Sequence, residues 1–266
     1  YRHLFIKEKG KDTFLDGTTI EELYATFVFD RRIRNIFFKY LLIVENNIKS
    51  VISYQLSKKY GYKEKDYLNP DNFNPDPLKK RQVNDVINKM GRQIRVNGDK
   101  HTATMHYINK YGYIPMWILV KVLSFGIVSE LYAILRYEDQ NDIANIYETN
   151  PETLSLYLSI VANYRNLCAH EEILYDYRTQ RNIPDTYIHS RLNLEKDSNG
   201  YKYGKNDLFA LIIMLKTLLR HSEFKRLVNE IAIEIEKMDE RINVVPLETI
   251  LEKIGFPHNW KDINNL

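Results

Sequence analysis

The chain has 266 residues, of which 44% are hydrophobic and 27% are charged, so it can bury the core of a globular protein. Its single cysteine, Cys168, excludes an intrachain disulfide and a cysteine-based metal cage, and no apolar run is long enough to span a membrane. The net charge of +3 permits a polyanionic partner only where basic residues cluster. We therefore predict a cytoplasmic protein that binds no metal and needs no cofactor.

Hydrophobic periodicity predicts helices along most of the chain. A first helix is expected from Thr18 or Thr19 to Phe29, and Asp30 is expected to cap a second helix that ends at Tyr60. Further helices are predicted from about Leu78, over about 103–110, from Pro115 to about Leu135, from Asn150 to Cys168, over 208–219 with Asp207 as its cap, over 224–242 and after Pro246. The fold class is therefore all-α, with about eight helices.

Two segments lack a lasting hydrophobic period. Residues 62–77 contain three prolines, and we predict a loop there. Residues 181–205 are rich in Asn, Asp and Gly, and we predict a long irregular loop with room for a small hairpin at Asn199-Gly200. Because no linker separates the helices, the chain is predicted to form a single domain over residues 1–266.

The strongest candidates for chemistry end the helix that begins near Asn150. Asn166 and His170 are four residues apart and share one helix face, and the long side chain of Arg165 can reach the same place. A histidine transfers protons near neutral pH, an arginine forks onto phosphate oxygens, and an asparagine can orient the histidine or donate to phosphate. We therefore take these three residues as the candidate catalytic residues.

Together these residue types suit cleavage of RNA without a metal, because the ribose 2′-hydroxyl is a built-in nucleophile. His170 would assist deprotonation of that hydroxyl or protonate the leaving oxygen, and Arg165 would stabilise the charge of the transition state. The expected products carry a 2′,3′-cyclic phosphate and a 5′-hydroxyl. The spacing alone is a weak signal, because Arg and His near a helix C-terminus also complement the helix dipole.

Four segments, in order along the chain, resemble the motifs of one family. Residues 164–170, Tyr-Arg-Asn-Leu-Cys-Ala-His, resemble the RNxxxH signature in its RNxCAH form, and residues 27–34 resemble F-x-F-D-x-x-L-R. Residues 115–126 resemble P-x-W…LSFG, and residues 254–260 resemble a closing G-x-P-x-x-W. These motifs are typical of the Abi (AbiD/AbiF-like) abortive-infection family, in the HEPN ribonuclease superfamily. The sequence departs from that family at Lys121, where the family often has Glu.

The resemblance implies a HEPN-like multi-helix bundle and a role as a toxin in antiphage defence by RNA cleavage. It also implies a homodimer in which two RNxxxH motifs form a composite active site, and a small noncoding RNA that restrains the protein as an antitoxin. A natural N-terminal segment is expected to precede Tyr1. Two other hypotheses stay open, namely a non-catalytic RNA-binding or scaffold protein of the same fold, and a helical protein-interaction module.

Two residues are expected to support the site. Tyr164 directly precedes the motif. Glu45 makes a favourable i,i+4 pair with Lys49, which indicates ordinary helix support, but it can instead reach Arg165, as polar groups on this helix do in HEPN folds. Cys168 is expected to be a buried structural thiol.

Basic residues cluster between positions 29 and 60, and two interpretations stay open. They form an RNA-binding face, or they belong to a solvated helix surface. The candidate RNA-binding residues are Arg31, Arg32, Arg34 and Lys49.

Overall fold

The structure, a computed structural model, describes residues 1–7, 13–198 and 200–266. The helices are α1 (Ile20–Tyr60), α2 (Glu64–Tyr67), α3 (Lys80–Asn97), α4 (Thr102–Tyr111), α5 (Met116–Val122), α6 (Phe125–Ile134), α7 (Tyr137–Ile146), α8 (Pro151–Ala169), α9 (Tyr187–Arg191), α10 (Leu208–Leu218), α11 (His221–Asp239) and α12 (Leu247–Ile254). The predicted all-α class is confirmed, although the described residues contain more helices than the eight or so expected. None of the helices in these ranges is both long and apolar enough to cross a membrane.

Helix α1 corrects the prediction of two helices that meet at Asp30. It runs without a break for 41 residues, and the apolar residues that recur along it at steps of three and four, which include Ile33, Phe37 and Leu41, are buried. Asp30 lies inside this helix and is fully buried, so it does not act as a cap. Its carboxylate instead accepts hydrogen bonds from backbone groups far along the chain, which only the tertiary structure reveals.

The predicted helix that crosses Gly126 is also divided differently. Helix α5 ends at Val122, and Ser124 then caps α6 by accepting a hydrogen bond from the backbone N–H of Ile127 at 3.4 Å. Helix α7 was not predicted, although Glu138 and Asp139 in its first turn suit a helix start. The predicted loop over 62–77 contains the short helix α2.

The segment 181–205 is more regular than the long loop that was predicted. It contains α9 and a two-stranded antiparallel hairpin, with β1 over Lys196–Asp197 and β2 over Gly200–Tyr201. Lys196 pairs with Tyr201, so the hairpin that the Asn-Gly dipeptide suggested is confirmed by its strands. Asn199 itself lies outside the described residues.

The described chain divides into two compact units. The first comprises Tyr1–Leu42 and Tyr164–Leu266, and its core is α10, which is buried on nearly every side. Helix α11 contacts α10 and adds an apolar face to this core. The second unit comprises Ile43–Asn163, in which α3 contacts α5 and α6, and Met90 of α3 is buried. The single domain over 1–266 stays a prediction.

Asp207 caps the buried helix α10, as predicted. Its carboxylate accepts hydrogen bonds from the backbone N–H groups of Ala210, at 2.8 Å, and Gly204, at 3.0 and 3.1 Å. Burial raises the pKa of Asp207 to about 6, although these hydrogen bonds act in the opposite direction. The cap of α10 therefore carries a carboxyl group whose pKa lies above that of an ordinary aspartate.

We expect Asp207 to make the free energy of unfolding depend on pH. Because its pKa is higher in the folded state than the value near 3.9 of an unfolded chain, the folded state binds the proton more tightly, and stability falls as the pH rises through 6. The slope should approach roughly 1 kcal/mol per pH unit between about pH 4 and pH 6. Urea unfolding of the wild type and of Asp207→Asn, measured over this range, isolates the contribution. A constant difference between the two proteins would contradict the prediction.

Candidate active site at the end of helix α8

The predicted motif lies at the C-terminal end of α8, where its polar residues point outward. Asn166 and His170 are exposed and Arg165 is half-buried, whereas Leu167 and Cys168 are buried. The backbone N–H of His170 donates to the carbonyl oxygen of Asn166 at 2.9 Å, so the two residues are one helical turn apart. The shared face that the sequence predicted is therefore present at the surface.

Arg165 lies next to Asn166 and against an aromatic ring. Its Nη1 atom is 3.5 Å from Oδ1 of Asn166. Its guanidinium carbon lies 6.0 Å from the centroid of the Phe38 ring on α1, in a cation–π arrangement. The ring limits the positions that this long side chain can adopt and holds its positive charge beside the exposed amide.

The chain turns sharply just after His170. Glu171 has a φ of +57°, in the left-handed region that is unusual for a residue with a side chain. Its N–H donates to the carbonyl oxygen of Cys168 at 3.4 Å, and the N–H of Glu172 donates to that of Leu167 at 3.2 Å. This is a Schellman motif, which normally has glycine at the left-handed position, where another residue costs about 1 kcal/mol.

A buried ion pair on α1 fixes the segment that follows this turn. Asp30 accepts hydrogen bonds through Oδ1 from the backbone N–H groups of Leu174, at 2.9 Å, and Tyr175, at 2.7 Å. Through Oδ2 it accepts one from Arg34 at 2.9 Å, and Arg34 also donates to the carbonyl oxygen of Glu172 at 3.0 Å. The F-x-F-D-x-x-L-R motif therefore anchors the chain that leaves the RNxxxH motif.

The inner side of the motif packs into the first unit. Tyr164 is buried, its hydroxyl donates to the carbonyl oxygen of Asp207 at 3.3 Å, and its ring meets that of Tyr177 edge to face. Burial holds the pKa of Tyr164 far above its usual value and raises the pKa of Cys168 to about 12. Cys168 is thus a protonated, buried thiol, as predicted. Both side chains hold α8 in place and leave the outer face to the polar residues.

The predicted RNA-binding residues do not form one exposed face. Arg31 is exposed, with its guanidinium carbon 5.9 Å from the centroid of the Phe27 ring, and Arg32 pairs with Glu234 at 3.1 Å. The prediction of Arg34 as an exposed RNA-binding residue is corrected, because Arg34 is buried and forms an ion pair with Asp30. Its charge is needed there to neutralise the carboxylate.

Lys49 is also buried, with its Nζ atom 2.6 Å from the Glu45 carboxylate. The i,i+4 pair that the sequence indicated is therefore confirmed, and Lys49 is not an exposed RNA contact. The expected approach of Glu45 to Arg165 stays a prediction. Sequence reasoning missed the structural role of Asp30, although the four-residue spacing of Asp30 and Arg34 could have suggested an ion pair.

The fold and the site define an all-helical protein with an Arg-Asn-x-x-x-His motif exposed at a helix end. Within the described ranges, no cluster of three or more His, Cys, Asp or Glu side chains could hold a metal ion. The model of one family, described as Abi-like protein, matches residues 1–176. The chain belongs to this Abi-like family, which confirms the predicted membership of the Abi family. No curated protein and no solved structure matches the chain.

We expect loss of the Asp30 carboxylate to destabilise the protein strongly. Asp30→Ala leaves the Arg34 guanidinium buried without its counter-charge, which should lower the free energy of unfolding by about 3–5 kcal/mol. Chemical denaturation measures this loss. The exposed Asp239→Ala at the end of α11 serves as the control and should change stability by less than about 0.5 kcal/mol. A loss below about 1 kcal/mol for Asp30→Ala would refute the anchoring role.

Proposed function

We propose that the protein is a metal-independent endoribonuclease with a HEPN-like helical fold, which acts on RNA in the cytoplasm as an abortive-infection toxin. Membership of the Abi-like family supports the role in defence. The observation that carries the chemical proposal is the outward position of Asn166 and His170 at a helix end that is fixed from inside, with the Arg165 guanidinium next to Asn166. A histidine used only for packing would be buried.

The proposed reaction is an internal transfer of the phosphoryl group. The ribose 2′-oxygen attacks the adjacent phosphorus. His170 either takes the proton of the 2′-hydroxyl while water supplies one to the departing 5′-oxygen, or it protonates that oxygen while water takes the 2′-hydroxyl proton. The bond from phosphorus to the 5′-oxygen breaks, which leaves a 2′,3′-cyclic phosphate and a 5′-hydroxyl. Arg165 stabilises the negative charge on the phosphate oxygens in the transition state. Asn166 orients the imidazole or donates to the same phosphate.

Loss of the imidazole should abolish most of the turnover without unfolding the protein. We expect His170→Ala to lower the rate of RNA cleavage by at least about 100-fold, because general acid–base catalysis contributes about 10²–10⁴-fold. Cleavage of a labelled single-stranded RNA is measured in EDTA, and the ends of the products are identified by mass spectrometry. Because His170 is exposed, the melting temperature should stay close to that of the wild type.

The matched control is His221→Ala, since His221 is also exposed but lies at the start of α11. It should cleave RNA at the wild-type rate. Equal rates for His170→Ala and the wild type would remove His170 from the mechanism. RNA binding by a wild type that shows no turnover between pH 5 and pH 9 would favour the alternative of a non-catalytic RNA-binding protein of the same fold.

We further propose that two copies assemble into a homodimer in which both RNxxxH motifs contribute to one composite site. An exposed motif needs an opposing wall to exclude water from the reaction, and a second copy related by twofold symmetry would supply it. A noncoding RNA bound to this surface would act as an antitoxin, because it would occupy the place of the substrate.

If the site is composite, we expect an inactive subunit to abolish the activity of the wild-type subunit with which it forms a dimer. At a fixed total protein concentration, subunit exchange with a roughly ninefold excess of His170→Ala would leave only about 1% of the dimers as wild-type homodimers, so activity should fall to roughly 1% of that of the wild type alone. Independent active sites would retain roughly 10%. The same dilution with His221→Ala should leave the total activity unchanged. Retention near 10% in the His170→Ala mixture would exclude a composite site.

A further inference from the structure

The second unit contains a pocket that the proposed reaction does not use. It has a volume of about 740 Å³, within the range of small-molecule sites, and lies between residues 46–58 of α1 and residues 117–121 of α5. Its walls combine three chemical features, namely serine hydroxyls, lysine side chains and two partly exposed aromatic rings.

Three serines on one side of α1 line the pocket. Ser50 donates to the carbonyl oxygen of Asn46 at 2.8 Å, and Ser53 donates to that of Ser50 at 3.0 Å. The hydroxyl of Ser57 differs, because its Oγ atom is buried and has no hydrogen-bond partner among the described residues. A buried polar atom without a partner costs free energy, so a ligand with a polar group at this position would remove that cost.

The charge of the pocket favours an anion. Its described lining contains three lysines and no acidic residue. Lys49 is already paired with Glu45, but Lys58 and Lys121 are exposed at the surface of the pocket. Two ammonium groups and a serine hydroxyl in the lining of one pocket provide the donors that a phosphate oxygen needs.

The aromatic rings give the pocket a second, flat surface. Tyr54 is 63% exposed and Trp117 is 41% exposed, although tryptophan is normally well buried. The ring of Tyr62 supports the indole of Trp117 at 5.5 Å between centroids. Trp117 and Lys121 are four residues apart in α5, so a flat ring and a cation lie on one helix face.

We propose that this pocket binds a nucleotide. The base stacks on Trp117 and Tyr54, and the phosphate binds the ammonium groups of Lys58 and Lys121 and the hydroxyl of Ser57. Stacking on an aromatic ring accepts any base, so the site selects the nucleotide class rather than one base. The nucleotide is either free or part of an RNA chain, and the two sources present the same chemistry. This binding does not depend on the ribonuclease proposal.

The test measures binding by calorimetry, with the tryptophan fluorescence of the protein, to which Trp117 contributes, as a second signal. The probes are AMP, UMP, adenosine, inorganic phosphate and a short single-stranded oligoadenylate. The protein is the full chain with His170→Ala, so that cleavage of RNA cannot affect the result. AMP and UMP should bind at least about tenfold more tightly than adenosine or phosphate, because only they engage both features of the pocket.

Two substitutions localise the binding. Lys121→Glu reverses an exposed charge and should weaken AMP binding by about tenfold or more, whereas the exposed Lys80→Glu, outside the pocket, should have no effect. Ser57→Ala removes the hydroxyl that lacks a partner, so it should weaken AMP binding several-fold while the melting temperature stays equal or rises. A merely structural serine would instead lower the melting temperature and leave binding unchanged.

The binding results distinguish an RNA chain from a free nucleotide as the source of the ligand. Tighter binding of the oligoadenylate than of AMP, with the same sensitivity to Lys121→Glu, would support the proposal with RNA as the source. Binding of the mononucleotides alone would support it with a free nucleotide. Equal binding of phosphate and AMP, or AMP binding unaffected by both Lys121→Glu and Ser57→Ala, would overturn it. If His170→Ala loses RNA cleavage but still binds AMP, nucleotide binding in this pocket is independent of the candidate active site, as proposed.

Discussion

The buried ion pair between Asp30 and Arg34 is the interaction on which the geometry of the candidate site depends. A carboxylate without solvent exposure is tolerated only when a charge and hydrogen-bond donors compensate it, and here the donors are the backbone groups of residues 174 and 175 and the Tyr1 hydroxyl. The pair therefore fixes the path of the chain directly after the motif helix. His170 stays at the surface because the residues on both sides of it are held from within.

Several separate contacts hold the C-terminal end of α8 in one conformation, which suits a reactive site. The left-handed conformation of Glu171 is unfavourable by itself, and it persists because the Schellman hydrogen bonds and the Arg34 contact to Glu172 compensate it. Tyr164 and Cys168 fill the inner face of the same helical turn. Asn166 and His170 are therefore presented by a rigid element, which is the arrangement that precise positioning of a phosphate requires.

The sequence predicted those features that depend on neighbouring residues. The apolar stripe of α1, the Asp207 cap and the outward face of the motif all follow from local spacing. The continuity of α1 could not be predicted, because the partners of Asp30 lie 144 and 145 residues away. Arg34 was predicted to be a surface cation, although its ion-pair partner Asp30 is only four residues away. Helix α7 is a different case. Glu138 and Asp139 are a local signal for a helix start, but the hydrophobic residues that follow did not lead to the prediction of a helix.

The residues beyond the family match give the motif helix its inner support. The match ends at residue 176, whereas α10 and α11 come later and bury the core of the first unit. Tyr164 donates to Asp207 at the start of α10, and Gly255, with a φ of +88°, lies so close to Asp207 that a side chain there would collide with it. The glycine of the closing G-x-P-x-x-W segment is therefore required by packing around the cap. A substitution in this later part would affect the exposed face of α8 only indirectly, through Asp207 and Tyr164. It would therefore lower the stability of the fold before it changed the chemistry of the candidate site.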